Sequence, residues 1–247
     1  MNKQATIIAN LFFLWVKTGE ISSLYDSADH YWDFEQSPVS EIADVRTSTK
    51  ITIHGTPMAI PSPTGNSIHL QGPSDESAVD LMQVSDSSCL FDPSICPTGL
   101  SISMFVKGRP RWNQSISNPQ MYFGNSEGTE LRQGVTIYYN ETKGGNLNVT
   151  VFGSTNYCFR YVALVKNSWT YLHLTWNSST GELNLYIEHN TQPSVQGACG
   201  SIPTPLPTER TYSLGRAAFP EVYIDNLAIW LQVKQPFIEP WSYITGR

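Results

Sequence analysis

Asp33 and Glu35 lie two residues apart in His30-Tyr31-Trp32-Asp33-Phe34-Glu35, a segment that alternates like a β-strand. Two carboxyl groups on one face, roughly 5 Å apart, are what a retaining glycosidase uses as nucleophile and acid/base. Here both acids share the face opposite Trp32 and Phe34 on what reads as an outer strand, and no third acid follows in register. Glu221 and Asp225 share strand parity but stand four residues apart, roughly 13 Å along a strand, too far for the same chemistry. His30, His54, His69, His173 and His189 are scattered without metal-ligand spacing, and neither H-E-x-x-H nor C-x-x-C occurs. These residues lead us to expect a chain that binds without catalysing a reaction, not an enzyme.

Charge narrows the partners. The formal net charge is −6 and no basic run exists, whereas a phosphate backbone requires clustered Lys and Arg, so no nucleic-acid partner is expected. Met1, Asn2 and Lys3 precede an apolar run from Ala5 to Val16, the pattern of a secretory signal peptide over residues 1–22. Lys17 and Glu20 end that run short of the ~20 apolar residues a membrane span needs, and no other segment comes close. The expected location is therefore secreted, or on the extracellular side of the plasma membrane.

Four cysteines, an even number, suit an oxidising compartment. Three pairings are available. Cys89 and Cys96 enclose an Asp92-Pro93-Ser94 turn, which favours a local bridge and leaves Cys158 to Cys199 by elimination. Asn113, Asn140, Asn148 and Asn177 each begin an N-x-[ST] sequon and are candidate glycosylation sites.

The elements that would position these groups are strands. Trp169 to Ile187 reads as a hairpin: Leu172, Leu174 and Trp176 share one face, Asn177 to Gly181 turns, and Leu183, Leu185 and Ile187 alternate on the return. Further strands are expected at Ser67–Leu70, 78–84, Gly99–Val106, 120–124, Gly134–Tyr139, Leu147–Phe152, 159–165, 212–215 and Tyr223–Trp230. Pro57 to Pro63 reads as a loop. Charged residues make up only 15%, and about a dozen strands without repeat or linker predict an all-β fold of two packed antiparallel sheets.

Tyr171-Leu172-His173-Leu174-Thr175-Trp176-Asn177-Ser178 resembles the pentraxin signature H-x-C-x-[ST]-W-x-[ST], keeping Thr175, Trp176 and Ser178 but not its His and Cys. With the HYW start at His30, the Cys89–Cys96 segment, Gly99 to Lys107 and the closing Ser213-Leu214-Gly215 and Tyr223 to Trp230, residues 28–247 resemble a laminin G-like/pentraxin-like (concanavalin A-like) jelly-roll domain. The combination is similar to the N-terminal pentraxin-like domains of some adhesion G-protein-coupled receptors. The resemblance implies an extracellular recognition or adhesion module that binds protein or glycan partners, possible as the N-terminal part of a larger receptor. Its alternative is a calcium-dependent carbohydrate-binding lectin, and a glycoside hydrolase of the same fold comes after that. Pentraxins draw calcium ligands from an acidic stretch where this chain has Arg216-Ala217-Ala218-Phe219, so that two-calcium site is not expected. Some laminin G domains hold one calcium at the rim, for which Asp225 and Asn226 are the candidate ligands, with Asp33 and Glu35 beside them. No other cofactor is implied.

Overall fold

The computed structural model describes residues 25–35, 41–47, 50–70, 78–81, 89–90, 93, 95–107, 120–124, 134–140, 146–152, 157–164, 167–188, 193, 197, 212–215 and 222–236. The expected leader, Asn113, Cys199, 216–219 and Glu221 lie outside them.

The chain folds into antiparallel strands in two layers. The first layer is a seven-stranded sheet built from β1 (His30–Trp32), β4 (Met58–Pro61), β5 (Asn66–Leu70), β7 (Leu100–Lys107), β12 (Trp169–Asn177), β13 (Glu182–Ile187) and β15 (Val222–Trp230). Its order is β13-β12-β7-β15-β5-β4, with β1 also paired to β15. The second layer contains β11 (Tyr157–Ala163), β10 (Asn146–Phe152), β9 (Gly134–Asn140) and β8 (Gln120–Phe123), in that order, and then β14 (Tyr212–Leu214), β6 (Ala78–Leu81), β3 (Lys50–His54) and β2 (Glu41–Ala43). A bridge between Gly124 and Ser213 joins its two four-stranded halves edge to edge. This is the two-sheet antiparallel sandwich that the alternation predicts.

The core lies between the layers. Ile102, Met104, Leu172, Leu174, Trp176 and Ile224 of the first layer meet Val79, Val135, Ile137, Val149 and Val151 of the second, all buried in one apolar cluster. The hairpin appears in the expected register, with Leu174 opposite Leu185 and Trp176 opposite Leu183. Burial of each large apolar side chain is worth about 2 kcal/mol, so the alternating positions select this register over a slip by one residue.

Two expectations change. Met58–Pro61 is a strand, not a loop; it ends the sheet as β4, and an edge strand tolerates proline because one side needs no N–H donors. The opening strand stops at Trp32, because Phe34 adopts φ 56° while its ring stays buried. Asp33 and Glu35 consequently sit in the connection after β1, not on a strand face.

The end of β12 and the turn after it grip the small disulfide loop. Cys89 and Cys96 are bonded, with Cα atoms 5.1 Å apart. Trp176 Nε1 donates to the Pro93 carbonyl at 3.1 Å and Ser178 Oγ to the Cys96 carbonyl at 2.6 Å. Cys158 is disulfide-bonded as well and buried in β11; its expected partner Cys199 lies outside the described residues. Gly99, which leads from this loop into β7, has φ 114°, and a Cβ there would overlap the Trp176 carbonyl oxygen. Gly99→Ala is expected to cost about 3 kcal/mol in urea unfolding, from a left-handed non-glycine residue plus a backbone overlap; an unchanged midpoint would refute this.

Candidate functional site

Asp225 and Asn226 occupy a fork in the sheet. β15 pairs with β5 through Val222–Ile224 and with β1 through Leu227–Ile229, and its register against β7 shifts between Asp225 and Ala228. Asn226 takes φ 49° at this bulge, which asparagine tolerates better than most residues. The bulge keeps Tyr223, Asp225, Ala228 and Trp230 on the outer face while Ile224, Leu227 and Ile229 enter the core.

The turn joining β4 to β5 closes this fork. Ser62 Oγ donates to Asp225 Oδ2 at 2.6 Å, Thr64 Oγ1 donates to the same oxygen, and the Asn226 N–H donates to Asp225 Oδ1 at 2.8 Å. Asn226 Nδ2 donates to Thr64 Oγ1 at 2.8 Å, while its Oδ1 accepts the Tyr31 hydroxyl at 2.7 Å. On the other side of the turn both Glu35 carboxylate oxygens accept the Asn66 N–H at 3.2 Å. Gly65 takes φ 152°, a conformation that side chains rarely adopt, and a Cβ there would also displace the Glu35 carboxylate from the turn. Asp33 Oδ1 accepts the Glu35 N–H at 3.2 Å and shapes the connection.

The electrostatics follow from burial. Asp225 is 0% exposed, and removal from water pushes its carboxyl up to about 7; the Ser62, Thr64 and Asn226 donors oppose this, and the Glu35 charge adds to it. Burial, then the Asp33 charge, also raises Glu35 against the Asn66 donor. Nearby, Asp44 is driven the other way: burial would raise it, but His30, the Tyr31 N–H, Thr47 and the Arg46 N–H hold it below the usual range.

The expected calcium ligands do not fit the ion as they are arranged. Calcium asks for about 6 to 8 oxygens with lone pairs turned inward. Both Asp225 oxygens and Asn226 Oδ1 instead accept hydrogen bonds from protein donors, and with its carboxyl raised to about 7 Asp225 is only partly ionised at physiological pH. Among the described residues no three acidic, histidine or cysteine side chains are grouped to hold a metal. Asp225 is a carboxylate that anchors a turn.

The remaining candidates divide. Asn148 is 1% exposed in β10, its Nδ2 donating to the Asn146 carbonyl at 3.0 Å, so the folded sheet leaves no room for a glycan on it. Asn177 is half-buried at the hairpin turn, where its Oδ1 accepts from Ser179 and the Thr180 N–H. Asn140 ends β9. His173 is buried at 1%, and its Nε2 carries the proton donated to the Lys234 carbonyl at 2.9 Å. Tyr138 and Tyr139 turn to opposite faces of β9: Tyr139 joins the core and Tyr138 does not.

Sequence reasoning passed over Gly124-Asn125-Ser126-Glu127-Gly128, which has G-x-S-x-G spacing. A nucleophile elbow needs a strand-to-helix turn, whereas Gly124 follows β8, whose neighbour β9 is the next described strand and runs antiparallel to it. Sequence reasoning also missed Ser62 and Thr64; their signal is weak, since Ser-Pro-Thr-Gly reads only as a turn.

No protein-family model matches the chain, and no curated protein matches it in sequence. Solved structures do. The receptor-binding domain of botulinum neurotoxin mosaic serotype C/D aligns with TM-score 0.61 at 12% identity, over 85% of this chain and 49% of that one. Domain 4 of AbnA, a GH43 extracellular arabinanase from Geobacillus stearothermophilus solved with arabinotriose, aligns with TM-score 0.56 at 16% identity, over 89% of this chain and 97% of that one. Trypanosoma rangeli sialidase with 2,3-difluorosialic acid aligns with TM-score 0.55 at 10% identity, over 89% and 32%. This chain thus spans about half of the toxin domain and a third of the sialidase. At these identities the likeness establishes the all-β sandwich fold and nothing finer.

Proposed function

We propose that this domain is a non-catalytic recognition module of the extracellular space, of the laminin G-like/pentraxin-like kind, that binds glycan or protein partners. The observation that carries this reading is how the rim acids are used. Asp225 and Glu35 both close on the Ser62–Asn66 turn. Asp225 is buried and hydrogen-bonded behind the turn, with no open face for a sugar ring, and Glu35, although exposed, is committed to the Asn66 N–H, so both acids serve a rigid rim. Alignment with nearly the whole of an arabinanase domain solved with arabinotriose supports a sugar as one partner class. The Cys89–Cys96 bridge and the signal-like leader support secretion, and no helix among the described residues is long and apolar enough to cross a membrane.

The test uses the full chain expressed through a secretory pathway with its own leader. It is expected to bind members of a glycan array or a panel of cell-surface ectodomains and to release no reducing sugar from the same glycans. Sugar release above an Asp225→Asn control would overturn the reading. A calcium-dependent lectin is the second reading, favoured by the charge coupling along this rim: Asp33 raises the Glu35 carboxyl and Glu35 raises that of Asp225. It predicts a clear rise in melting temperature with millimolar calcium, whereas a turn-anchoring Asp225 predicts none.

A further inference from the structure

Among the described residues, the outer face of the seven-stranded sheet is covered unevenly. Toward one end, Tyr25 and Ala28 pack on Ala228 and Trp230, and the segment after β15 crosses Ser101 and His173 through Gln232 and Lys234. The other end carries a cross-strand row of a different character. Trp169 lies opposite Lys107, Tyr223 opposite His69, and His69 opposite Met58. Lys107 continues the row to Tyr223, because their neighbours Val106 and Ile224 are paired. The row therefore runs across β12, β7, β15, β5 and β4, four inter-strand gaps or about 19 Å.

Its chemistry is specific. The Lys107 ammonium sits 5.9 Å from the Trp169 ring centroid and 5.5 Å from that of Tyr223. The Tyr223 ring stacks on His69 with centroids 4.1 Å apart and planes 10° apart. Trp169 and Lys107 are half-buried, Tyr223 and His69 are buried at 8% and 9% exposure and form the floor of the row, and Met58 remains 45% exposed at the sheet edge. The ion pairs found among the described residues are His30–Asp44, Arg46–Asp26 and His54–Asp80, and none involves Lys107. A cation is thus held between two aromatic faces, without a carboxylate neighbour in that set, on a chain whose formal net charge is −6.

We propose that the Trp169–Lys107–Tyr223–His69 row is the binding strip for a carboxylated oligosaccharide. The proposal rests on the recognition reading above and names its surface and ligand class. Sugar rings present apolar C–H faces that lie against the part-exposed Trp169, the buried Tyr223 and His69 back the ammonium from behind, and one carboxylate on the glycan pairs with that ammonium. A single cation suits a single acidic sugar; a polysulfated chain needs a cluster of Lys and Arg that this row does not contain. The two rings hold Lys107 in place beforehand, which reduces the entropy lost on binding.

The test compares sialyllactose, lactose and a heparin hexasaccharide for binding to the full secreted chain and to three variants. Sialyllactose is expected to bind, more weakly as salt rises, while lactose and heparin bind at least tenfold less tightly. Lys107→Glu and Trp169→Ala should each weaken sialyllactose at least tenfold, and Lys107→Arg should keep it within threefold, with all three melting as cooperatively as the parent. Equal binding of lactose and sialyllactose, tighter binding of heparin, or a Lys107→Glu variant that binds like the parent would overturn the strip. If array glycans or ectodomains still bind while these probes do not, the strip falls and the recognition reading stands; if nothing binds, both fall.

Discussion

Trp176→Ala is expected to remove at least about 4 kcal/mol of stability in urea unfolding, the largest loss of any single truncation in the hairpin. Trp176 is 1% exposed in the inter-sheet core, and truncating a buried tryptophan leaves a cavity that costs about 3 to 5 kcal/mol. The indole also donates to the Pro93 carbonyl, which is buried, so its loss orphans an acceptor at a further cost of about 1 kcal/mol. Trp176→Phe separates the two contributions: it keeps most of the ring volume and loses the donor, so it should cost about 2 kcal/mol. Equal losses for Ala and Phe would mean that the bond to the disulfide loop, not the volume, dominates. Since small domains are stable by only about 5 to 15 kcal/mol, the alanine variant should also be secreted poorly.

Asp225→Asn is expected to flatten the dependence of stability on pH, and to raise stability at pH 8. The Asp225 carboxyl is raised from 3.8 in the open chain to about 7 in the fold, chiefly by burial. The folded state therefore holds this proton more tightly than the unfolded state. Its contribution is fully present below about pH 4 and is lost as pH rises through 7, on the order of 4 kcal/mol in all. Asparagine stays neutral, and the Ser62 and Thr64 hydroxyls can rotate to accept from its amide as readily as they donate to a carboxylate. Asp44 works with the opposite sign: its lowered carboxyl contributes stability above its usual titration range that is lost as pH falls through it. Chemical denaturation of parent and variant between pH 4 and 8 isolates the Asp225 component as the difference between the two curves. A parent that gains stability relative to Asp225→Asn on going from pH 5 to pH 8 would refute the raised carboxyl. The acid facing this group is Glu35, which in turn faces Asp33; the Tyr25 and Tyr31 hydroxyls are coupled to Asp225, and Tyr31 bonds its neighbour Asn226.

Strands are written into this chain by local alternation, and the triplets Leu172/Leu174/Trp176 and Leu183/Leu185/Ile187 make the central hairpin and its core face legible in the sequence. The same period of two exposed Ile224 and the closing strand, but it could not reveal the bulge after Asp225, because a bulge is one extra residue that leaves composition unchanged. That bulge decides the candidate site. Proline content hid β4, whose edge position makes the prolines tolerable, and one left-handed residue at Phe34 moved Asp33 and Glu35 off the strand on which glycosidase spacing depended. Sequence by itself determined the all-β class, the hairpin and the choice of Cys89 with Cys96, since alternation and a short turn act between near neighbours. Only the tertiary structure decided that Asp225 anchors Ser62 and Thr64 from more than 160 residues away, that Asn148 is buried, and that Trp169, Lys107, Tyr223 and His69 form one row. Sheet register brings together residues that the chain keeps far apart, and no local pattern encodes which strands become neighbours.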